Sequence, residues 1–217
     1  MQTRSGFYRT ISVIFLLCAG VFALLAWQVA TRGEMVHVDQ QVAATLHRSA
    51  GPWGIFVLKV FTFFGEFAAL TGLAIIAAAI LVRAKAHGLA AGWVAAMIGT
   101  GVLNEALKRV FARPRPSFAE PIAIAGGFSF PSGHSMGTMV AVTMLAYAAF
   151  RWVSEPRWRR VTVAFAATWT LTMGFSRMYL GVHYLSDVIG GFAAGGAWAC
   201  ICMAGLEMAK ARTLPAG

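Results

Sequence analysis

A chain of 217 residues that is 59% hydrophobic and only 12% charged, with a mean hydropathy of +0.69, is not the composition of a water-soluble domain. The formal net charge of +10 raises the question of a nucleic-acid partner, yet the basic residues sit at the ends of many apolar segments instead of forming one stripe, which excludes that class. What remains is an integral membrane protein.

Apolar runs of roughly 20 residues, the length needed to cross about 30 Å of hydrocarbon, recur along the chain. The first covers residues 11–30 behind Arg4 and Arg9. It exceeds the roughly 7 to 15 apolar residues of a cleavable signal peptide, so it reads as a retained anchor. Residues 34–50 carry Val38, Val42 and Leu46 at helical spacing, which predicts an amphipathic helix lying on the outer interface as a lid. The second span is read at 60–82. Lys59 and Glu66, at or inside it and two helical turns apart, are read either as buried partners of groups on other helices or as catalytic. Further spans follow at 88–107, 135–152, 161–180 and 184–206. Cys18, Cys200 and Cys202 all fall within spans at no metal-ligand spacing and are expected to pack. No linker, repeat or low-complexity tract divides the chain. The fold expected is therefore all-α, a single bundle of six transmembrane helices over residues 1–217.

Lysine and arginine placement orients the bundle. With the N-terminus inside, the cytoplasmic side holds Arg4, Arg9, Arg83, Lys85, Arg151, Arg157, Arg159, Arg160, Lys210 and Arg212; the outer side holds Arg32, Arg48, Lys108, Arg109, Arg113, Arg115 and Arg177. Three of the outer cations belong to motifs described next, so both termini are expected in the cytoplasm. Arg109 and Arg113 are read either as guides for anionic headgroups or as part of a solvated loop.

Three polar blocks then meet on the outer face: Lys108 with Arg115-Pro116, Pro131-Ser132-Gly133-His134, and Ser176-Arg177 followed by His183 and Asp187. Lys108, Arg115 and Arg177 supply three positive charges and Asp187 removes one, leaving about +2 to balance a phosphate monoester of roughly −1.5 to −2. Arginine suits phosphate through its planar fork, whereas lysine acts as a point charge. Ser132 is placed to cap the helix that follows and Gly133 to let the backbone approach closely, so that free N–H groups at the helix start face an anion. His134 at the same rim can give a proton to a leaving oxygen. His183 and Asp187, four apart, are expected on one helix face, where the carboxylate fixes the ring tautomer and frees the opposite nitrogen to attack phosphorus.

Each block alone has an ordinary reading as a turn, a loop or a snorkelling cation. In this order and spacing they resemble the type 2 phosphatidic acid phosphatase family. The resemblance implies a metal-independent, cofactor-free lipid phosphatase in a six-helix membrane bundle, with Lys108, Arg115, Ser132, Gly133 and Arg177 binding phosphate. It also implies His134 as general acid, His183 as nucleophile and Asp187 as its partner. The pocket is similar to that of vanadium haloperoxidases too, but so apolar a chain does not suit a soluble peroxidase. The expected substrate is a lipid phosphate or pyrophosphate, such as phosphatidic acid, phosphatidylglycerol phosphate or undecaprenyl pyrophosphate, met at the outer face of a bacterial cytoplasmic membrane. Two alternatives are a lipid phosphotransferase of the same fold and a non-catalytic lipid-phosphate binder. Oligomeric state has no signature in the sequence.

Overall fold

The computed structural model describes residues 4–212; the side chains of Arg4 and Arg212, which enter the charge comparison above, lie outside what is described. Among the described residues the chain is helical with no strand: α1 (Arg4–Thr31), α2 (Glu34–Ser49), α3 (Pro52–Thr62), a 3-10 turn (Phe63–Gly65), α4 (Phe67–Arg83), α5 (His87–Phe111), α6 (Gly133–Ala149), α7 (Pro156–Tyr179) and α8 (Leu185–Arg212). By length and composition α1, α5 and α8 each suffice to cross a bilayer, and α3 with α4 makes a fourth if that bent pair is one span. α6 has only 17 residues, and α7 opens on Arg157, Arg159 and Arg160.

The second span differs from expectation. Pro52, whose missing N–H costs nothing in a first turn, starts α3 eight residues before the expected boundary. The 3-10 turn and the extended backbone of Glu66 (φ −70°, ψ 155°) then interrupt the hydrogen-bond ladder, and the two halves meet at 49°. Lys59 and Glu66 therefore share no continuous helix face. Both side chains are exposed and neither enters an ion pair among the described residues, so the pairing expected for them does not form.

α8 is the axis of the bundle, packing along α6 and α1 and touching α2, α5 and α7. Small residues make this approach possible. A Cβ at Gly191 would stand 2.7 Å from the carbonyl oxygen of Ser132, and one at Gly195 would stand 2.8 Å from that of Met136. Between α4, α5 and α6 lies an apolar core of Trp93, Ala96, Val140, Ala141 and Met144. The indole N–H groups of Trp93 and Trp198 there each donate to a helix carbonyl, Ala74 O and Ala96 O, both at 2.9 Å. Such pairing removes the cost of burying them. Leu16, Leu17, Ile75, Ile76 and Phe165 point outward, as apolar side chains do where the solvent is lipid. Cys18, Cys200 and Cys202 are unpaired and wholly or partly buried.

α2 forms where the 3.6-residue period places it, but its buried face is centred on Asp39 and Ala43, while Val38 is 42% exposed. A carboxylate occupies the position that an apolar stripe would give to a hydrophobic residue. Its partner, Arg113, lies on another segment and exerts no periodic signal in the sequence.

Candidate active site

The C-terminal ends of α5 and α7 and the N-terminal ends of α6 and α8 come together at one end of the bundle. Their local sequences explain the geometry. α5 stops at Ala112, which adopts a left-handed conformation (φ 44°) and turns the chain into Arg113-Pro114-Arg115-Pro116. α7 stops in a motif closed by Gly181 N–H to Met178 O (3.0 Å) and Val182 N–H to Arg177 O (3.1 Å). Gly181 sits at φ +72°, a conformation any Cβ would strain, and this turn delivers His183 to the site.

His183 is 2% exposed. Its Nε2 lies 3.0 Å from Nη1 of Arg115, and its Nδ1 lies 3.4 Å from Oδ2 of Asp187. A guanidinium can only donate, so Nε2 must be the nitrogen with the lone pair and Nδ1 must carry the proton that points at the carboxylate. Burial pushes the ring down to about 4, against the opposing pull of Asp187, which keeps it neutral.

The pair is not held on a helix face as expected. His183 precedes α8, and Asp187 lies in its first turn, where Oδ2 accepts the Tyr184 N–H at 2.8 Å. That is the reciprocal half of a helix cap, with the Tyr184 carbonyl accepting from Val188 N–H. The cap, not the i,i+4 stripe, fixes the carboxylate.

Ser132 caps α6, accepting the Ser135 N–H at 3.4 Å, and is fully buried; its own N–H donates to Asp187 O at 2.9 Å. Gly133 is the first residue of α6. A Cβ there would stand 3.0 Å from Asn104 Oδ1 and 3.8 Å from Lys108 Nζ, which places Lys108 beside the helix start. Asn104, which no motif marks, ties this turn to α5 by donating to Pro131 O at 3.3 Å.

His134 follows, with its Nε2 buried and unpaired, and the positive charges of Arg177, Lys108 and Arg115 all bear on it. Arg177 donates from Nη1 to Thr62 Oγ1 at 2.7 Å, while its Nε is buried without a partner. Arg115 spends several donors on carbonyls, reaching Gly126 O (2.9 Å from Nη2) and Val182 O (2.8 Å from Nη1). All eight residues singled out in the sequence thus lie in one neighbourhood.

Arg109 and Arg113 part company. Arg109 is exposed and pairs with Glu105 at 2.9 Å, as a surface residue would. Arg113 is only 7% exposed and is held by Asp39 (2.7 Å) and Asp187 (2.6 Å), so it is neither a headgroup guide nor part of a solvated loop. Sequence reasoning missed Asp39, Thr62 and Asn104, as well as Ser186, whose hydroxyl accepts from Arg113 Nη1 at 2.7 Å, and Ser129, whose hydroxyl donates to Pro114 O at 3.1 Å. Among the described residues no three His, Cys, Asp or Glu side chains are grouped to hold a metal ion.

From Lys108, Gly133 and His134 a groove of about 650 Å³ runs between α4, α5 and α6 past Asn104, Gly101 and Met97 to Leu70 and Ala74. Eleven residues separate Met97 from Lys108, which at 1.5 Å per residue is roughly 16 Å along the helix axis. The polar site therefore opens into an apolar channel.

The family model described as PAP2 superfamily matches residues 89–210, which contain every one of these motifs. The chain belongs to the PAP2 superfamily. Proteins similar to it include phosphatidylglycerophosphatase B of Bacillus subtilis, 38% identical over 95 residues, which are 43% of this chain and 46% of that protein. The chain thus spans about half the length of that relative. Decaprenylphosphoryl-5-phosphoribose phosphatase of Mycolicibacterium smegmatis is 31% identical over 170 residues, covering 75% of this chain and 83% of the relative. Among solved structures, a transmembrane PAP2-type phosphatidylglycerolphosphate phosphatase from Bacillus subtilis superposes with a TM-score of 0.80 at 26% identity, over 94% of this chain and 98% of that one. The PAP2 fold is therefore shared along nearly the whole chain, well beyond the motif region.

Proposed function

We propose that the protein is a metal-independent membrane lipid phosphatase that works through a phosphohistidine. The observation that carries this reading is the orientation of His183, with a lone pair on Nε2 facing the cationic site and Nδ1–H facing Asp187. Nε2 attacks phosphorus, the N–P bond forms, and the P–O bond to the lipid breaks as His134 protonates the leaving oxygen. Water then attacks the phosphohistidine, His134 takes its proton, and phosphate leaves with the N–P electron pair returning to Nε2. A bound dianion offsets the cations around His134, which favours the imidazolium needed for the first step. Lys108, Arg115 and Arg177, with the N-terminus of α6 capped by Ser132 and opened by Gly133, stabilise charge on the transferring group. Phosphate monoesters need rate enhancements of up to ~10²¹-fold, so preorganised charge is the dominant requirement.

The groove between α4, α5 and α6 favours a substrate whose tail stays in the membrane. We read the bundle as six spans: α1, the bent α3–α4 pair, α5, α6, α7 and α8. α6 and α7 need less hydropathy than lipid-facing helices because other helices cover α6 and because charges gather at the ends of α7. By the charge rule both termini face the cytoplasm of a bacterial cell and the site faces outward, as read from the sequence.

The decisive experiment uses purified protein in detergent with phosphatidic acid, phosphatidylglycerol phosphate and undecaprenyl pyrophosphate and no added acceptor. Phosphate release that persists in EDTA and is inhibited by orthovanadate is expected. Loss of activity on chelation overturns the metal-free mechanism. Turnover only when a lipid acceptor is added makes the protein a phosphotransferase, and binding without turnover makes it a lipid-phosphate binder.

A further inference from the structure

We propose that Asp39, on α2 and outside the signature motifs, is a positioning residue that offsets and anchors Arg113, so that the charge of Asp187 is left uncancelled and its carboxylate correctly aimed at His183. This rests on the reading of His183 as the nucleophile.

The geometry is a closed relay. Arg113 places Nη1 on Asp187 Oδ1 (2.6 Å) and on Ser186 Oγ (2.7 Å), and places Nη2 on Asp39 Oδ2 (2.7 Å). Asp39 Oδ1 accepts the Ser186 N–H at 2.9 Å, and the Ser186 hydroxyl donates to Oδ2. Asp39, Ser186 and Asp187 are each 0% exposed. A buried group without a full set of partners would be costly, and here the carboxylates and the guanidinium satisfy one another.

Charge decides what this arrangement does. Were Arg113 paired with Asp187 alone, the two would cancel and little negative potential would be left for the imidazole. Asp39 cancels Arg113 instead, so the trio keeps a net charge of about −1 beside Nδ1. That charge matters most when attack on phosphorus makes the His183 ring cationic, which is why its effect belongs to turnover more than to binding. Pinning of α2 to the bundle is a further consequence of the same contacts, and a purely structural role for Asp39 would consist of that alone.

The test is steady-state and single-turnover phosphate release by the full-length protein in detergent, using phosphatidic acid. In Asp39→Asn, kcat is expected to fall about 10-fold to 100-fold with KM changed less than about twofold, and phosphoenzyme formation to slow by the same factor. In an Asp187→Asn background the same substitution is expected to change kcat by less than about twofold, because its route to His183 is already cut. Wild-type kcat in Asp39→Asn, or a full additional loss in the Asp187→Asn background, overturns the proposal.

Should Asp39→Asn fail to fold, Arg113→Lys decides, since it leaves both carboxylates and the positive charge in place and removes only the planar fork that joins Asp39 to Asp187. A kcat lowered about 3-fold to 10-fold at constant KM supports the relay, and wild-type kcat overturns it. A wild-type protein that releases no phosphate from phosphatidic acid, phosphatidylglycerol phosphate or undecaprenyl pyrophosphate and forms no phosphoenzyme with any of them overturns the parent reading, and this one with it.

Discussion

Thr62, the last residue of α3, accepts a hydrogen bond at 2.7 Å from Nη1 of Arg177, near the end of α7. The break in the second span thus sits against a guanidinium assigned to phosphate. Hydrogen bonds to charged groups contribute about 1.5 to 3 kcal/mol. Thr62→Val keeps the shape and removes the acceptor, so kcat/KM for a lipid phosphate is expected to fall about tenfold, mostly through KM. Unchanged steady-state kinetics would show that Arg177 holds its place without Thr62.

The two histidines separate by step. His183→Ala is expected to abolish turnover and any labelled phosphoenzyme. His134→Ala is expected to lower kcat by roughly 10²- to 10⁴-fold, the usual contribution of a general acid, while substrate still binds. Rapid quench with radiolabelled lipid phosphate checks both. A phosphoenzyme in His183→Ala would move the nucleophile elsewhere.

Protonation of His183 carries a sign that can be checked. Its folded value is pushed down to about 4, whereas the unfolded imidazole titrates near 6.5. The unfolded state therefore takes the proton first, and the associated stability is complete above about pH 6.5 and lost as pH falls toward 4. The thermal midpoint in detergent is expected to drop across that window. His183→Gln should flatten part of the drop, and an identical pH dependence in the variant would contradict the burial argument.

The groove makes a prediction about tails. Gly101 lines it, and a Cβ built there meets nothing within 4 Å, so a larger side chain would extend into the channel. Gly101→Leu also gains helix propensity, which guards against loss of fold. KM for a long-chain lipid phosphate is expected to rise several-fold, while a short water-soluble phosphate ester is turned over as by the wild type. Equal effects on both substrates would place the tail elsewhere.

What was legible from the residues alone follows from local rules. Membrane residence is a matter of composition. The cap at Ser132 and the gathering of Lys108, Arg115, Ser132, Gly133, His134, Arg177, His183 and Asp187 at one end depend on capping chemistry and on the order of the apolar segments, whereas α3 and α7 start at Pro52 and Pro156, ahead of the boundaries read at 60 and 161. Even the amphipathic segment at 34–50 forms a helix over Glu34–Ser49.

Only the tertiary structure decided how those residues are partnered. The seam at Gly65-Glu66, the burial of Arg113, and the facing of Asp39 toward Arg113 and Ser186 depend on segments that lie more than 70 positions apart or on how two half-helices meet. A buried ion pair has no period and no fixed spacing, because its members come from different helices brought together by packing. Asp39 looks like an ordinary polar residue on an interfacial helix until the fold removes it from water, and Arg113 looks like one more loop cation. Desolvation makes each require the other, and desolvation is a property of the assembled bundle.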